Sequence, residues 1–296
     1  MLVPDPDEAA IAIPAPGAGT GYWAGGPSAV AVEDGIYLAF RLRRPIGLGR
    51  GYAAAIAFAR DGVSFETVAL IAKEEVNAES LERPWLVRLL DGRWRLYLSC
   101  ATTGTKHWRV EVVDAQHPAE FDVRRREVVL PGDVTKRAVK DPVIKRHGGQ
   151  WHMWAAIHPL ADPLETDQMS TEYATSADGL DWTWHGTALI GRAGQWDARG
   201  ARVTAVTFGE RSVTAYYDGR ASAAENFEER TGVAVGADPL ALIATSPPSG
   251  GPFASSPYQG GGLRYVDVAS MADGRVRLYY EMTQPDGSHA LVTELR

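Results

Sequence analysis

One phrase recurs five times along this chain: a turn that contains glycine, followed by a strand in which aromatic and aliphatic residues alternate. A repeat of this kind restricts the fold strongly, because each copy must form the same supersecondary unit. The glycines that mark the five copies are Gly35, Gly92, Gly149, Gly209 and Gly274. Successive markers lie 57, 57, 60 and 65 residues apart, which leaves room for about four short strands in each copy.

The third copy makes the strand count explicit. Its strand-like segments are residues 139–145, 151–157, 172–176 and 182–189. Four short strands per repeat are typical of a propeller blade, and radial repetition leaves few exposed sheet edges. An open β-sandwich is the competing fold, but its strands return at shorter spacing. The sequence therefore predicts an all-β fold, a single five-bladed β-propeller domain spanning residues 1–296 with four antiparallel strands per blade.

Three segments depart from the repeat. The last copy is short by one strand, and we expect residues 9–14 to supply it and close the ring. Residues 246–262 are rich in Pro, Gly and Ser and predict a long loop. Residues 72–81 form the one short segment with weak helical periodicity.

Composition excludes several classes of function. The net charge is −7, whereas a nucleic-acid-binding protein needs a basic stripe, so we expect no nucleic-acid partner. The sequence contains no run of 18 or more apolar residues, so no membrane span is predicted. The first eight residues lack the features of a signal peptide, and the single cysteine, Cys100, cannot form an intrachain disulfide. These features predict a cytoplasmic protein with no nucleic-acid partner and no membrane partner.

Candidate site residues are found where each blade begins. The innermost strand of a propeller blade starts near the central axis, so the residues just before it line the pocket. The internal alignment places residues 25–28, 82–85, 140–143, 197–202 and 262–267 at these five blade heads.

The third blade head carries a family resemblance. The motif Lys140-Asp141-Pro142, followed by a hairpin with Trp151, resembles the third-blade Asp-Pro motif of five-bladed propeller glycosidases. That group includes arabinanases, xylosidases and invertases.

Other segments extend the resemblance over essentially the whole chain. Residues 174–182 (ATSADGLDW) are similar to the Ser-x-Asp-Gly-x-x-Trp hairpin of the same group, and residues 61–65 are a shorter copy. Residues 217–220 and 225–232 resemble segments of mannoside-phosphorylase-like propellers. The chain thus resembles a divergent member of the glycoside hydrolase-like propeller superfamily.

The resemblance implies three catalytic carboxylates: a base or nucleophile in the first blade, a stabilising Asp in the third and an acid in the fourth. Asp141 matches the stabiliser. The first-blade position is Gly26 and the fourth-blade position is Gly200 or Ala201, none of which can transfer a proton. Two carboxylates are the usual minimum for glycoside hydrolysis. Either the carboxylates have moved or hydrolysis has been lost.

Relocated carboxylates define the catalytic hypothesis. Glu82 is the strongest candidate for the acid/base, because the adjacent Arg83 would keep a neighbouring carboxylate ionised. Asp197 is a further catalytic candidate. Asp218, Glu229 and Asp267 are the other carboxylates that could have moved into this role.

Arginines near the blade heads predict an anionic substrate. Converging guanidinium groups bind carboxylates or phosphates through paired hydrogen bonds. The arginines at or beside blade heads are Arg83, Arg199, Arg202 and Arg264. In the alternative interpretation they pair across the ring with Glu82, Asp141 and Asp197. If the first interpretation holds, Arg202→Ala should weaken ligand binding and leave the fold intact.

Several more side chains are binding candidates. Aromatic rings could form the floor of a sugar site, or could pack between blades. These aromatic residues are Trp23, Trp85, Tyr258 and Tyr265. The polar binding candidates are Ser28, His158, Asp218 and Glu229.

The sequence carries no cofactor motif. The seven histidines lack paired metal spacing, and neither a P-loop nor a dinucleotide fingerprint occurs. We expect no cofactor and no metal among the site residues, although a Ca²⁺ ion in the channel stays open. The leading hypothesis is a glycoside hydrolase-like enzyme that cleaves a glycosidic bond in a central pocket, with a small-molecule or oligosaccharide substrate as its partner. The alternatives are a propeller that only binds a sugar or anionic metabolite, and one recruited to a non-hydrolytic biosynthetic reaction.

Overall fold

Strands dominate the structure. The computed structural model describes residues 2–296, and the helices in that range are 3-10 turns of three or four residues. These turns are Pro6–Glu8, Ile46–Leu48, Lys73–Val76, Val123–Arg125 and Ala223–Glu225. The predicted helical segment 72–81 is thus reduced to one short turn. Within residues 2–296 no helix is long enough to cross a membrane.

The described part of the chain contains twenty strands, numbered here in chain order. They are β1 (Ala10–Ile13), β2 (Trp23–Val32), β3 (Gly35–Arg43), β4 (Gly51–Ala59), β5 (Glu66–Ala72), β6 (Trp85–Arg88), β7 (Trp94–Ala101), β8 (Trp108–Ala115), β9 (Glu127–Leu130), β10 (Arg137–His147), β11 (Gln150–Pro159), β12 (Ser170–Ser176), β13 (Thr183–Ile190), β14 (Gly200–Phe208), β15 (Val213–Arg220), β16 (Arg230–Gly236), β17 (Ile243–Ala244), β18 (Leu263–Ser270), β19 (Val276–Thr283) and β20 (His289–Leu295).

The strands form four-stranded antiparallel units, as in a propeller. Strands β6–β9, β10–β13 and β14–β17 are three separate sheets with neighbours in chain order. Strands β2–β5 form a further four-stranded antiparallel unit, and β18–β20 with β1 form another. We number the units one to five by their first strands β2, β6, β10, β14 and β18.

The N-terminal strand completes unit five. β1 pairs antiparallel with β20, and Ala10 lies opposite Thr293. The prediction that residues 9–14 supply the missing strand is confirmed. A single parallel bridge between Trp23 and His289 also joins units one and five into one eight-stranded sheet.

The repeat marks the same turn in every unit. Each marker glycine lies between the first and second strands of its unit or opens the second strand. Gly92, Gly149 and Gly274 have φ values of 88°, 82° and 85°, a left-handed region that favours glycine. The regular spacing of glycine in the sequence therefore reflects five equivalent hairpins.

Apolar side chains are buried between successive units. One core joins units one and two, a second joins two, three and four, and a third joins four and five. A fourth core contains Phe40 of unit one and Tyr279 of unit five. The first strands are also in contact in a closed cycle, β2 to β6, β10, β14, β18 and back to β2. The polar ends of these first strands therefore meet at one place.

Backbone irregularities turn side chains toward that meeting point. The pairing of the first and second strands is shifted between Gly25 and Ser28 in unit one, with corresponding shifts in units three and five. The residues at the three shifts, Gly26, Asp141 and Tyr265, have φ values of 61°, 51° and 56°. A bulge of this kind redirects a side chain, and a non-glycine residue with positive φ is uncommon.

Candidate functional site

A cavity lies where the five units meet, and each of them contributes to its lining. Its lining residues are Arg41, Arg43, Glu82, Lys140, His158, Met169, Arg202, Arg220, Asn226, Phe227, Glu229, Arg264 and Tyr265. We call this space the central cavity. Its volume is ≈ 40 Å³. One water needs about 10–15 Å³ of such space, so the cavity holds a few waters or one carboxylate- or phosphate-sized group.

Wider grooves lie on the outer surface. One of ≈ 490 Å³ runs beside Arg95 and Asp114. There the Arg95 guanidinium donates to Asp114 at 2.7 Å, so these two charges are already paired. The smaller central cavity is the better candidate site, because its polar groups converge and several lack partners.

Positive charge faces the central cavity. Six of its lining side chains are Arg or Lys, whereas only Glu82 and Glu229 are carboxylates. Asp141, Asp218 and Glu281 are fully buried behind the lining and pair with its cations. The charges are thus layered, with cations toward the cavity and most carboxylates behind them. That layering favours an anion in the cavity even though the whole network is close to neutral.

Glu82 is held as a carboxylate. It accepts hydrogen bonds from Arg41 Nε at 2.5 Å and from Arg43 Nη1 at 3.0 Å. Burial alone would raise the pKa of Glu82, but Arg41, Lys140 and Arg43 outweigh burial and hold that pKa well below the usual range. The structure places Glu82 in the cavity lining, as predicted, and its two arginine partners argue against the acid half of its predicted role. The adjacent Arg83 is also not the residue that keeps it ionised.

Asp141 anchors three other groups from behind the lining. Its Oδ2 lies 3.2 Å from Arg202 Nη1 and 3.3 Å from both Lys140 Nζ and the Tyr265 hydroxyl. Its Oδ1 is buried without a hydrogen-bond partner. A left-handed backbone at a residue followed by Pro142 is strained, and such strain persists where the surroundings fix the side chain.

Arg202 bridges two buried carboxylates. It contacts Asp141 and also donates to Asp218 Oδ2 from Nη2 at 2.7 Å. Asp218 Oδ1 accepts from the Tyr265 backbone N–H at 2.9 Å. Burial raises the pKa of Asp218 to about 6 although Arg202 opposes this. These buried pairs argue against the expectation that Arg202→Ala leaves the fold intact, because both carboxylates would be left buried without this partner.

A second ion-pair network closes the other side of the cavity. Glu229 accepts from Arg220 and from Arg264. Arg264 Nη2 also donates to Glu281 Oε1 at 2.7 Å, and Arg41 Nη2 lies 2.9 Å from Glu281 Oε2. Burial alone would raise the pKa of Glu229, but Arg264 and Arg220 outweigh it and hold that pKa well below the usual range. The predicted residues Glu229 and Arg264 are thus brought together in the site.

His158 lines the cavity from the end of β11. Its Nδ1 lies 3.1 Å from the Thr166 carbonyl oxygen, so Nδ1 carries the proton. Nε2 is then an acceptor, and it is buried without a partner. Burial, aided by the positive charge of Lys140, lowers the pKa of His158 to about 3. At neutral pH this side chain is a neutral imidazole and not an acid.

Several lining groups carry buried polar atoms that have no hydrogen-bond partner among the described residues. Arg41 Nη1 and Arg220 Nε are unpaired donors, and His158 Nε2 is an unpaired acceptor. Leaving a buried polar atom unpaired costs about 1–3 kcal/mol. Such a concentration around one cavity is typical of a place where a ligand or water completes the hydrogen bonding.

Two predicted binding residues lie outside the cavity. Ser28 Oγ accepts from the Leu86 backbone N–H at 3.0 Å and so ties unit one to unit two. Arg83 donates from Nε and Nη2 to the Pro27 carbonyl and from Nη1 to the Thr204 carbonyl. Both side chains are buried and hold the units together. Neither side chain lines the central cavity, which argues against the predicted binding roles.

Asp197 and Arg199 form ion pairs outside the central cavity. Asp197 is fully buried and accepts from Arg192 Nε at 2.9 Å and from the Tyr217 hydroxyl at 2.7 Å. Arg199 pairs with Asp167 at 2.6 Å near the surface. Neither lines the central cavity, so Asp197 is not placed to be catalytic and Arg199 is not placed to bind there.

Trp23 lies behind the charged wall instead of forming an open floor. It is buried and stacks on His289 with ring centroids 4.8 Å apart. The Arg43 guanidinium carbon lies 4.4 Å from the centroid of Trp23 and 4.6 Å from that of Phe227. The indole therefore supports Arg43, and Phe227 is the aromatic residue on this side that reaches the cavity.

Of the remaining aromatic candidates, Tyr265 lines the cavity, whereas Trp85 and Tyr258 do not, and neither does Asp267. Trp85 is buried and donates from Nε1 to the Ile144 carbonyl at 3.0 Å. Asp267 accepts from the Ala29 backbone N–H at 2.7 Å. Tyr258 is 39% exposed and does not line the cavity.

Three arginines on second strands line the cavity but were not predicted from the sequence. Arg41, Arg43 and Arg220 lie near the ends of β3 and β15, opposite the blade heads that were singled out. The second-strand residues that line the cavity follow their marker glycines by six to nine positions in units one and three, as Arg41, Arg43 and His158 do, and Arg220 follows Gly209 by eleven. That spacing was readable in the sequence. Lys140 lies in the Lys140-Asp141-Pro142 motif, but no role was predicted for it from the sequence.

No group of three or more His, Cys, Asp or Glu within residues 2–296 is arranged to hold a metal ion. The cavity carboxylates contact arginines and Lys140, which compete with a cation for the same oxygens. The residues present therefore do not suit the channel Ca²⁺ that the sequence left open.

Solved structures of carbohydrate-active enzymes share the fold. A GH43 enzyme of Xanthomonas citri in complex with xylotriose has a TM-score of 0.65 and 11% identity, over 92% of this chain and 87% of that one. An α-L-arabinofuranosidase of Lactobacillus brevis has a TM-score of 0.65 and 15% identity, over 92% and 90%. A structure from the GH130 mannoside phosphorylase family, described with glycoside hydrolases that target β-1,2 mannosidic linkages in Candida mannan, has a TM-score of 0.66 and 14% identity, over 99% and 95%.

These likenesses establish the fold. No protein-family model and no curated protein matches the chain. The structural matches have a probability of 1.00 and cover nearly the whole chain, so the fold is that of the glycoside hydrolase-like propellers. The resemblance inferred from the Asp-Pro motif is confirmed at this level.

Proposed function

We propose that this chain is a carbohydrate-active protein whose central cavity binds the anionic group of a sugar substrate. The observation that carries the proposal is the cavity lining, in which six cationic side chains face the space and only two carboxylates do. Carboxylate and phosphate groups are the anions that such guanidinium clusters recognise. The shared fold with enzymes that act on glycosides supports a sugar as the rest of the ligand.

The architecture that holds this site is one five-bladed ring formed by residues 1–296 as a single domain. Two observations support it: the closed cycle of contacts among the five first strands, and the apolar core between units five and one. Five equivalent hairpins at the marker glycines fit the same arrangement.

The cavity size limits what enters. A space of ≈ 40 Å³ admits a charged group but not a whole sugar ring, whose binding sites commonly measure about 300–1,000 Å³. The sugar ring would therefore lie toward the mouth, beside Asn226 and Phe227.

Cleavage of a glycosidic bond is a second candidate function. It is favoured by Asp141, which keeps Oδ1 unpaired next to Lys140 and Arg202 at the position of the family's stabilising carboxylate. The hydrolytic pair of Glu82 and Asp141 lacks a proton donor, because Glu82 is held ionised by Arg41 and Arg43.

Calorimetric titration tests the proposal. Glucuronate and galacturonate should bind with affinities at least about tenfold greater than those of glucose and galactose, and sugar phosphates should also exceed the neutral sugars. Arg43→Gln should reduce uronate affinity about ten- to hundredfold, since a charge-assisted contact is worth about 1.5–3 kcal/mol. Glu82 keeps Arg41 as a partner in this variant, so the fold should survive.

The matched control is Arg93→Gln, which removes an exposed guanidinium paired with Asp91. It should leave uronate affinity unchanged. Equal affinity of the wild-type protein for charged and neutral sugars would contradict the proposal.

A further inference from the structure

Two groups able to move protons lie side by side on the cavity wall. His158 stands opposite Ala138 on β10, and Lys140 is two residues further along β10 on the same face. Diagonal neighbours of this kind have side chains within about 7–8 Å. Both line the central cavity, and neither has a role in hydrolysis by paired carboxylates.

His158 offers a free acceptor atom to the cavity, and a substrate carboxylate bound beside it would raise the low pKa of His158 and strengthen it as a base. The Thr166 carbonyl oxygen accepts from Nδ1, which fixes the tautomer and leaves the Nε2 lone pair free. Nε2 is buried and has no partner among the described residues, so no protein group competes for that lone pair.

Lys140 is placed as a proton donor. Its ammonium group lies 3.3 Å from Asp141 Oδ2 and 4.9 Å from the centroid of the Trp108 ring. Burial lowers the pKa of Lys140, although Asp141 and Glu82 oppose this. A lowered pKa makes an ammonium a better acid toward a departing alkoxide.

Arginines supply the remaining requirement. Removal of a proton from the carbon next to a carboxylate builds charge on that carboxylate, and cationic donors must stabilise it. Arg41 Nη1 and Arg220 Nε are buried donors without partners, and both residues line the cavity. The same cavity thus offers a base, an acid and donors for the developing charge.

Resting on the proposed function, we infer that the site cleaves uronate-containing sugars by β-elimination instead of hydrolysis. His158 Nε2 takes the proton from C5, next to the carboxylate held by the arginines. The electrons of the C5–H bond form a C4=C5 double bond as the C4–O bond breaks. The departing alkoxide takes a proton from Lys140, which regains one from solvent while His158 returns one. The products are an unsaturated uronate and a shortened sugar, with no net use of water and no oxidant or reductant.

The test has two stages and uses the full-length chain. A panel of 1,4-linked uronate disaccharides, containing galacturonate, glucuronate or mannuronate, is first ranked by calorimetric affinity. Those that bind are then incubated with the protein. The unsaturated product is followed by its ultraviolet absorbance and by mass, and hydrolysis by the mass increase of one water.

Three variants assign the roles. His158→Gln should bind the disaccharide within about threefold of wild type and lose at least about a hundredfold in rate, the usual contribution of a positioned base. The matched control His185→Gln changes an exposed imidazole on β13 and should keep the full rate. Lys140→Met should slow loss of a sugar from C4 far more than loss of fluoride from a 4-fluoro uronate, because fluoride departs without a proton.

Each outcome is decisive. Unsaturated product that disappears in His158→Gln with binding retained supports the inference. Binding followed by hydrolysis, or binding with no reaction, overturns elimination and leaves the proposed function standing. Equal rates for His158→Gln and wild type overturn the role of His158. If no uronate in the panel binds, a uronate-binding site is excluded, and elimination fails with it.

Discussion

At the scale of single residues, the cavity is lined by buried ion pairs, and Arg202 is a member on which two buried carboxylates depend. Arg202 contacts Asp141 and Asp218, both without solvent exposure. A buried carboxylate that loses its partner keeps the full cost of leaving water. The residues that would recognise an anion are therefore also residues that stabilise the fold.

Arg202→Ala should lower the free energy of unfolding by about 3–5 kcal/mol, the range expected when a buried pair loses one member. Urea unfolding followed by tryptophan fluorescence measures this. Arg124→Ala removes an arginine whose side chain is 87% exposed and should change stability by less than about 1 kcal/mol. Similar losses in the two variants would contradict the structure.

His158 should make the protein sensitive to mild acid. Burial lowers its pKa to about 3 in the folded state, against about 6.5 when unfolded. Below pH 6.5 the unfolded chain therefore binds more protons at this position, so stability falls as the pH falls. At pH 5 this residue should cost about 2 kcal/mol.

The check compares His158→Gln with wild type in urea at about pH 7.5 and pH 5. The variant should lose about 2 kcal/mol less than wild type over this interval, whatever other groups contribute to both. His185→Gln, at an exposed position, should follow wild type. Parallel losses in wild type and His158→Gln would rule out a buried neutral imidazole.

At the scale of strands and turns, the hairpins could be predicted from the sequence. Only some of the side chains that converge on the cavity could be predicted in the same way. Glycine at Gly92 and Gly274 is required locally, by a turn with positive φ, so the sequence reveals it. The positions of Arg41 and Arg220 depend on the register of second strands against first ones, which bulges shift. A one-residue shift in register moves a side chain to the opposite face of the sheet. The spacing of residues along the first strands alone therefore could not locate Arg41 and Arg220.

The site residues divide in the same way. Asp141 was found because a local motif marks it. Ser28 and Arg83 also stood at blade heads, but their partners are Leu86 and main-chain carbonyls of neighbouring units, which only tertiary structure reveals.

The marker turns should depend on backbone conformation and not on packing. Gly274 has φ 85° and no atom within 4 Å of an added Cβ. Gly274→Ala should therefore lower the free energy of unfolding by about 1 kcal/mol through conformational strain alone, and Gly274→Asn should lower it less. Gly47→Ala, at an equally open glycine without positive φ, should be nearly neutral in urea unfolding. A neutral Gly274→Ala would contradict a left-handed turn.

At the scale of the whole molecule, the N-terminal strand completes unit five at its contact with unit one. β1 pairs with β20, and Ala12 is 8% exposed within the core shared by units five and one. The neighbouring Ile11 points outward and is 53% exposed. Substitutions at these two adjacent residues therefore distinguish an effect on the core between units five and one from an effect on the surface.

Ala12→Asp should lower the free energy of unfolding by roughly 3 kcal/mol, because it buries an unpaired carboxylate at the closure. Ile11→Lys should be tolerated. Thermal unfolding with sedimentation velocity would detect both the lost stability and any association through the freed β20 edge. Equal melting temperatures for the two variants would mean that β1 does not close the ring.

The central claim is that the cavity holds the anionic group of a sugar, and a crystal structure with bound glucuronate tests it most directly. The account predicts the carboxylate inside the cavity, within hydrogen-bond distance of Arg41 Nη1 and Arg220 Nε, with the sugar ring at the mouth beside Phe227. A carboxylate pointing to solvent while neutral hydroxyls enter the cavity, or a uronate bound only at the outer surface, would contradict it.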